Sequence, residues 1–507
     1  MEEYRALSTG RQRPSAAMRD PSTSPRPRQS EEVDVVGEDG QGDRAPERTS
    51  GMLHFAGVAG SGMSALAQFH VMSGGRASGS DRAFDRGELP EIRAALQRAG
   101  IIIVAQDGSF PGVRPDAVIV STAVEDTVPD VRAARAAGIP VRHRSELLAG
   151  FVSSRRTIAV SGTSGKSTVT AMIYEILRAA GRDPSIITGG DLLLLRSAGL
   201  LGNAAAGRSD LLVVEADESD GSLVRYHPWM GVLLNLQRDH KEPEEIAPLF
   251  DRFREQTTGP FVLSDDPALQ RWSRGAITFG FGTEAAYRAT EILTSPFGCA
   301  FTVDLVRFEL PVPGWHNISN ALAAIAAAAA CGVPLVDIDA GLRRFHGVAR
   351  RFQSLGSRGG VEVIDDFGHN PNKIRASLQA AQLRGERVLA FFQPHGFGPT
   401  RFLRDDLIRT FGETLRAQDH LYLPEIYYAG GTAVRDISSR DIADGVASLG
   451  RAVFFDADRK ALGMRMASDA RPGDVILVMG ARDPSLTVLA RRILDSLPAR
   501  GDGLWKP

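Results

Sequence analysis

Residues 157–180 hold the feature that most constrains the fold: an apolar strand, a glycine-rich turn and a long helix in immediate succession. In such a turn the backbone N–H groups can point at phosphate oxygens, the helix N-terminus adds positive potential, and a lysine reaches the terminal phosphates. Position 160 is valine where the general phosphate-loop pattern has glycine, which implies a shortened variant of that loop. The sequence predicts a nucleotide-binding turn formed by Gly162, Thr163, Ser164, Gly165, Lys166, Ser167 and Thr168.

A cluster of acidic residues, Glu215–Asp220, follows the predicted strand at residues 211–214. Carboxylates at a strand end beside a phosphate loop suit Mg²⁺, a hard cation that prefers oxygen ligands. Glu215 is the predicted ligand, together with a hydroxyl of Ser167 or Thr168. His240 follows the next strand and is a candidate for the same edge, because ligands of open α/β sheets bind at the carboxyl ends of strands. A lone histidine more often has a structural role, so a structural role for His240 remains an alternative.

A second glycine turn, Gly57–Gly62, follows the first predicted strand, and Asp81 lies further along the chain. In a dinucleotide-binding protein the helix after such a turn holds a pyrophosphate and the acid holds a ribose hydroxyl. The glycine order here differs from that of nicotinamide sites, so a purely structural turn remains an alternative. A UDP-linked substrate also carries a pyrophosphate, and the turn is equally compatible with a nucleotide-sugar site.

Strands and helices alternate along most of the chain, which predicts an α/β protein with largely parallel sheets. A length of 507 residues corresponds to about three domains. We expect domains at residues 51–150, 151–346 and 347–507. Residues 1–50 are rich in Arg, Pro, Ser, Glu and Asp with little apolar periodicity, which predicts a disordered tail.

Composition excludes several classes of protein. A net charge of -2 and no basic stripe argue against a nucleic-acid partner. Two cysteines are too few for a disulfide framework or a cysteine metal site, which fits a reducing compartment. The chain has no membrane-spanning run or signal peptide, so we expect no membrane association and a cytoplasmic location. A monomer and a homodimer both remain open.

Further motifs follow in the second half of the chain. They are Gly314-Trp315-His316-Asn317-Ile318-Ser319-Asn320-Ala321, Arg350-Arg351-Phe352, Asp365-Asp366-Phe367-Gly368-His369-Asn370-Pro371 and Phe392-Gln393-Pro394-His395. Taken in order with the two glycine turns and the acidic cluster, these motifs resemble those of the Mur ligase family, and the resemblance extends over residues 52–497.

The resemblance implies an N-terminal domain for a UDP substrate, a central phosphate-loop ATPase domain and a Rossmann-like C-terminal domain. It implies that ATP and Mg²⁺ activate the carboxylate of UDP-N-acetylmuramate as an acyl phosphate, which the amine of an amino acid, L-alanine in the branch it resembles, then attacks. Catalytic roles fall to Lys166, Glu215, His240 and His369, and metal binding to Ser167, Thr168, Glu215 and His240. The nucleotide would also contact Asn317, Asn320, Arg351 and Asp365. The substrates would contact Gly60, Ser61, Gly62, Met63, Ser80, Asp81, His395 and Arg401.

The chain departs from the family pattern near the predicted acceptor site. Gly368-His369-Asn370-Pro371 stands where the L-alanine branch has Ala-His-His-Pro, and Ser164 replaces a histidine of the phosphate loop. In a segment where that branch has arginines that can bind carboxylates, this chain has Gly396 and Pro399, and Arg401 remains. We expect ATP binding to survive and free L-alanine to be a poor acceptor.

Three alternatives remain. A related ligase would use another amine, such as a recycled muropeptide. A non-catalytic relative would bind ATP and the UDP-sugar without turnover. A nicotinamide dehydrogenase accounts for the first glycine turn but leaves Lys166 and Glu215 unexplained.

Overall fold

The computed structural model describes residues 51–110, 112, 114–219, 221–238, 242–428, 434–481, 483 and 485–498. The predicted tail, residues 1–50, and His240 lie outside the described residues. The described chain is an α/β protein with several largely parallel sheets, as predicted. We refer to residues 51–153, 156–346 and 353–498 as the N-terminal, central and C-terminal segments; the domain limits at 150 and 346 stay predictions. Within the described ranges, no helix combines the length and apolar character needed to cross a membrane.

The N-terminal segment contains a five-stranded parallel sheet with the order β3-β2-β1-β4-β5. The middle strand, β1, is almost wholly buried, which explains its apolar sequence. Strand β5 begins only at Val141, because Pro140 before it lacks the N–H that a sheet strand donates. The elements are β1 (Met52–Ala56), α1 (Ser61–Met72), β2 (Arg76–Ser80), α2 (Arg82–Asp85), α3 (Pro90–Arg98), β3 (Ile102–Ile103), β4 (Ala117–Val120), α4 (Pro129–Ala136), β5 (Val141–His143) and α5 (Arg144–Ser153).

The central segment is built on an eight-stranded sheet with the order β13-β12-β11-β10-β6-β9-β7-β8. Strand β8 is antiparallel to β7, and the other pairings are parallel. Because β10, β6 and β9 are neighbours, their carboxyl ends meet at one edge. The elements are β6 (Arg156–Ser161), α6 (Lys166–Ala179), β7 (Ser185–Ile187), α7 (Leu193–Ser197), β8 (Ala204–Ala205), β9 (Leu211–Glu215), β10 (Met230–Leu233), α8 (Pro243–Gln256), β11 (Phe261–Ser264), β12 (Ile277–Gly280) and β13 (Tyr287–Arg288).

A three-stranded antiparallel sheet follows, which the sequence analysis did not predict. Buried and partly exposed residues alternate along β15, as they do in a strand that has one face against the core. The alanine-rich helix α9 packs in the central core, where its small side chains are fully buried, as its composition predicts. The elements are β14 (Thr290–Ser295), β15 (Gly298–Val303), β16 (Val306–Leu310), α9 (Trp315–Ala330) and α10 (Leu335–Leu342).

The C-terminal segment contains a six-stranded sheet with the order β17-β18-β22-β19-β20-β21. Strand β17 is antiparallel and lies in the polar stretch that the sequence suggested was a boundary; the remaining pairs are parallel. The elements are β17 (Gln353–Arg358), β18 (Val361–Asp366), α11 (Pro371–Gln382), β19 (Arg387–Gln393), α12 (Phe397–Thr414), β20 (His420–Leu423), α13 (Ser439–Ser448), β21 (Ala452–Phe455), α14 (Arg459–Asp469), β22 (Asp474–Gly480) and α15 (Ser485–Ser496).

Candidate active site

The glycine-rich turn connects β6 to α6, as predicted from the sequence. Gly165 caps the helix with a φ of 85°, in the left-handed region that favours glycine. A Cβ at this position would lie 2.5 Å from Oδ1 of Asn320, so the turn and the first turns of α9 approach closely. Asn317 lies there as well, since its Oδ1 accepts a hydrogen bond from Nδ2 of Asn320 at 3.3 Å. The structure therefore brings both of these asparagines, which the sequence predicts to contact the nucleotide, to the turn.

Asn235, just after β10, fixes the conformation of this turn. Its Oδ1 accepts hydrogen bonds from the Thr163 hydroxyl at 2.9 Å and the Ser164 N–H at 2.8 Å, and its Nδ2 donates to the Ser164 carbonyl at 3.0 Å. The Thr163 hydroxyl and the Ser164 N–H are therefore engaged within the protein. The sequence analysis assigned Asn235 no role, although its place after a central strand was an available signal.

Lys166 begins α6 and is surrounded by oxygen atoms. Its Nζ lies 2.6 Å from Oε2 of Glu218, 2.8 Å from the Gly162 carbonyl and 3.3 Å from Oδ1 of Asp217. Burial opposes the charge, but the attraction of Glu218, Asp217 and Glu215 outweighs it and raises the pKa of Lys166. Burial also raises the pKa of Asp217, but Lys166 and hydrogen bonds from Ser219 outweigh that effect and lower it to about 2. The turn therefore holds a charged lysine at the helix N-terminus.

Glu215, at the end of β9, lies beside the same turn. Its Oε1 accepts a hydrogen bond from the Ser167 hydroxyl at 3.0 Å, and its Oε2 accepts from the Thr188 hydroxyl at 2.8 Å and the Gly189 N–H at 2.9 Å. Of the two hydroxyls proposed from the sequence, both buried at the start of α6, Ser167 is the one that contacts this carboxylate. Thr188 was missed, although its place after β7, before two glycines, is a usable signal.

Glu215 and Ser167 offer the oxygen donors that Mg²⁺ prefers, so these residues fit that ion. Among the described residues, no group of three or more His, Cys, Asp or Glu side chains is arranged to hold a metal. This is compatible with Mg²⁺, which keeps several waters and uses few protein ligands. His240, the fourth predicted ligand, lies outside the described residues.

Arg351, in the linker between the central and C-terminal segments, reaches the phosphate loop. Its Nη2 lies 3.3 Å from the Ser167 hydroxyl, and its guanidinium lies 4.7 Å from the Phe367 ring centroid. Burial lowers the pKa of Arg351, while Glu215 and Asp366 favour its charged form. Arg351 is thus placed beside the turn and Glu215, and its contact with the nucleotide stays a prediction.

The carboxylate of Asp365 is engaged within the protein, and its predicted contact with the nucleotide stays a prediction. It is fully buried; Oδ1 lies 3.3 Å from Nε of Arg350 and Oδ2 accepts a hydrogen bond from Thr487 at 2.6 Å. Because both oxygens bind residues within the fold, Asp365 positions Arg350, whose guanidinium also donates to the Gly480 carbonyl at 2.6 Å.

The predicted acceptor residues His369 and His395 lie together, with ring centroids 6.0 Å apart. Nδ1 of His369 also lies 2.9 Å from the Phe367 carbonyl. Both rings face a small pocket that is otherwise lined by Phe392, Pro394, Pro399, Thr400, Leu403 and Leu407. The lining resolved around this pocket contains no lysine or arginine.

Arg401 is not among the residues that line this pocket, and its predicted contact with a substrate stays a prediction. Its guanidinium forms an ion pair with Asp436 and lies 3.3 Å from the Val434 carbonyl. The side chain is therefore directed to the loop before α13. An acceptor carboxylate would have to compete with Asp436 for it.

The first glycine turn is tied to the end of β2. The N–H groups of Gly57 and Val58 donate to the Ser80 carbonyl at 2.8 and 3.0 Å, and the Ala59 N–H donates to Oδ2 of Asp81 at 3.1 Å. Asp81 thus lies at the turn, as predicted, and its Oδ2 atom holds the turn in place by accepting this hydrogen bond.

Two of the predicted UDP contacts have side chains that face the core. The Ser80 hydroxyl is fully buried and donates to Asp130, and the Met63 side chain is buried in the core. These two residues can offer a ligand only their backbone, whereas Gly60 and Ser61 are exposed at the start of α1.

Arg144 is a basic residue at this turn that the sequence analysis missed. A Cβ on Gly62 would lie 3.2 Å from its Nη1. Arg144 follows β5 directly, and parallel strands place their carboxyl ends at one edge, which was the available signal.

Asn203 connects the first glycine turn to the central segment. Its buried Nδ2 donates to the Ser61 carbonyl and the Ser64 hydroxyl, both at 2.9 Å, and its Oδ1 accepts from Gln68 at 2.8 Å. Its backbone carbonyl accepts the Thr188 N–H at 3.0 Å, and Thr188 holds Glu215. The two predicted binding regions are therefore joined by direct contacts.

Comparison with known families decides what kind of protein carries this arrangement. Three stretches match in order: residues 52–156 match "Mur ligase family, catalytic domain", 160–328 match "Mur ligase middle domain" and 350–482 match "Mur ligase, glutamate ligase domain". The chain belongs to the Mur ligase family. The resemblance inferred from the motifs is thereby confirmed.

Individual relatives of this Mur ligase match over most of their length. A UDP-N-acetylmuramate--L-alanine ligase of Thermosynechococcus vestitus is 35% identical over 453 residues, covering 85% of this chain and 92% of the relative. The ligase of the same name from Geotalea uraniireducens is 35% identical over 447 residues, covering 85% and 94%.

Solved structures agree with this assignment. UDP-N-acetylmuramate-alanine ligase from Thermotoga maritima superposes with a TM-score of 0.72 at 26% identity, covering 88% of this chain and 98% of that one. A murein peptide ligase from Psychrobacter arcticus has a TM-score of 0.65 at 22% identity, covering 90% and 100%, and shares the fold.

Proposed function

We propose that this Mur ligase is an ATP-dependent enzyme that joins the amino group of L-alanine to the carboxyl group of UDP-N-acetylmuramate. The observation that carries the proposal is the cluster of Lys166, Ser167 and Glu215 at the start of α6, which Arg351 reaches from the interdomain linker. The two proposed substrates, L-alanine and UDP-N-acetylmuramate, are those that appear in the names of relatives matching most of this chain.

The first chemical step transfers the γ-phosphoryl group of ATP to the substrate carboxylate. A carboxylate oxygen attacks the phosphorus, the bond to ADP breaks, and an acyl phosphate forms. Lys166 and Arg351 are placed to stabilise the charge on the transferring group, since fixed cations are most effective where charge develops. Mg²⁺, held by Glu215 and Ser167, would neutralise further phosphate charge.

The second step replaces phosphate by the acceptor amine. The amine nitrogen attacks the acyl carbon, inorganic phosphate leaves, and the nitrogen loses a proton as the amide forms. His369 lines the acceptor pocket with His395, and an imidazole there is suited to receive that proton. We therefore propose His369 as the general base of this step.

Binding of ATP must rearrange the partners of Lys166. Glu218 now holds its ammonium group at 2.6 Å, and the β- and γ-phosphates carry more negative charge than one carboxylate. We propose that the phosphates displace Glu218 from Lys166, which leaves Glu218 close enough to restore the ion pair when ADP departs.

A phosphate-release assay tests the proposal. Purified protein receives ATP, Mg²⁺ and UDP-N-acetylmuramate, and amines are added singly, with L-alanine first and reactions lacking the UDP-sugar as controls. We expect release that requires both the UDP-sugar and an amine, with an amide product detected by mass spectrometry. Release that is independent of the UDP-sugar, or absent with every amine, would contradict a ligase.

A second candidate keeps the chemistry and changes the acceptor to an amine other than a free amino acid. The pocket lining described above contains no lysine or arginine, and Arg401 is engaged by Asp436. A free amino acid brings a carboxylate that would need a cationic partner there. Faster turnover with a peptide or an amide of alanine than with L-alanine would favour this candidate.

A further inference from the structure

The loop after β10 in the central segment contacts helices α11 and α12 of the C-terminal segment. Nη1 of Arg238 lies 2.6 Å from Oδ2 of Asp406, and its guanidinium lies 4.2 Å from the Phe402 ring centroid. Nδ2 of Asn372 donates to Oε1 of the neighbouring Gln237 at 3.1 Å. An ion pair, a cation–π contact and a hydrogen bond therefore cross between the two segments at one place.

The charges at this contact form a small network. Nε of Arg238 also lies 3.0 Å from Oε1 of Glu242, and Oδ1 of Asp406 lies 3.4 Å from Nη1 of Arg409. The side chains of Arg238 and Asp406 are 41% and 25% exposed, so water and salt weaken their attraction. A contact of this kind can hold the segments together and still be released without a large barrier.

A second contact between the same segments has a different character. Arg384, on the loop after α11, donates from Nε to the Pro296 carbonyl at 2.7 Å and pairs with Glu362 at 2.6 Å. Its guanidinium lies 5.1 Å from the ring centroids of both Phe297 and Phe352, and its side chain is only 9% exposed. Salt screens such a buried contact much less than the exposed one.

Helix α12 connects the exposed contact to the acceptor pocket. Phe402 and Asp406 contact Arg238, while Thr400, Leu403 and Leu407 of the same helix line the pocket of His369 and His395. Residues three and four apart are neighbours on the surface of a helix. A movement of α12 at Asp406 therefore also moves the residues of this helix that line the pocket.

We propose that Arg238 and Asp406 form a salt-sensitive latch that holds α12, and with it the acceptor pocket, against the nucleotide-binding segment. Arg384 keeps the segments joined when the latch opens. Arg238 is then a positioning residue for the acceptor. The kinetic consequences of the latch rest on the proposed ligase function, whereas its structural consequences do not.

The structural test is small-angle X-ray scattering of the full chain without ligands, at about 0.1 M and about 1 M salt, where the screening length is about 10 Å and about 3 Å. We expect the wild type to expand only at high salt and Asp406→Arg to be expanded at both. The charge swap Arg238→Asp with Asp406→Arg should be compact again at low salt. Asp406→Asn, a milder change, should lie between.

The control is Glu413→Arg, which breaks an exposed pair, Arg375 and Glu413 at 2.8 Å, that lies wholly within the C-terminal segment. It should leave the radius of gyration at the wild-type value. An Asp406→Arg protein as compact as the wild type at low salt, or a charge swap that stays expanded, would overturn the latch. Both outcomes are measured by scattering alone, so they test the latch independently of ligase activity.

The kinetic test separates positioning from general damage. In Asp406→Asn we expect the KM for the acceptor to rise about two- to fivefold, as an exposed network of this size allows, with the KM for ATP unchanged. The charge swap should restore the acceptor KM. Equal increases in both KM values would overturn the assignment of Arg238 as an acceptor-positioning residue.

Discussion

The ammonium group of Lys166 lies 2.6 Å from a carboxylate oxygen of Glu218, so the lysine of the phosphate loop already has a buried ionic partner. A buried lysine without such a partner would tend to lose its proton. The contact thus keeps Lys166 charged and oriented, ready for the phosphates that would take the place of Glu218.

We expect Lys166→Ala to lower kcat by about 10² to 10³, because one preorganised cation is lost from the transferring phosphoryl group. The circular dichroism spectrum should stay that of the wild type. Lys460→Ala, which removes an exposed lysine in α14, is the matched control and should retain full turnover. Turnover of Lys166→Ala close to the wild-type rate would contradict the phosphate-loop assignment.

Ser167→Ala and Thr168→Ala distinguish the two hydroxyls proposed for Mg²⁺. Ser167 donates a hydrogen bond to Glu215, so we expect Ser167→Ala to raise the Mg²⁺ concentration for half-maximal rate about tenfold or more. Thr168→Ala should change it much less. The measurement is a Mg²⁺ titration of phosphate release at fixed ATP, and a larger effect of Thr168→Ala would reverse the assignment.

The sequence was most informative where function depends on neighbouring residues. The phosphate loop and Glu215 could be located because each follows a strand directly, and strand order then brings β6, β9 and β10 to one edge. Contacts between distant stretches could not be read in this way. Asn235, Thr188 and Asn203 act through partners far along the chain.

Two side chains have partners that the sequence did not indicate, for the same physical reason. Asp365 was expected to face ATP, but its oxygens bind Arg350 and Thr487, and no sequence pattern reveals the direction of a side chain at the end of β18. Arg401 was expected at the acceptor, but Asp436 from another loop pairs with it. For both residues the sequence indicates a charged side chain but does not reveal which residue that side chain contacts.

His70 should make the stability of the protein depend on pH. Burial lowers the pKa of this histidine in the folded state. The unfolded chain, with a pKa of about 6.5, therefore takes up the proton first, so the contribution is full above that pH and is lost as pH falls through it. We expect His70→Gln to reduce the loss of unfolding free energy between about pH 7 and about pH 5, measured by denaturant titration.

The control for this measurement is His227→Gln, which makes the same substitution at an exposed histidine. If His70→Gln shows the wild-type pH dependence instead, burial of His70 does not contribute to it.

The acceptor site gives the last prediction, which follows from the second candidate function: free L-alanine should be a poor substrate, and Pro399→Arg should improve it. Pro399 lines the pocket in the first turn of α12, so an arginine there could bind the carboxylate and lower the KM for L-alanine at least about tenfold. Gly396→Arg should fail, because the φ of 70° strains any side chain and its Cβ would lie 3.3 Å from Pro399. Pro399→Gln controls for loss of the proline. A wild-type KM for L-alanine well below about 1 mM, within the usual range for enzymes, would show that the pocket already binds its carboxylate.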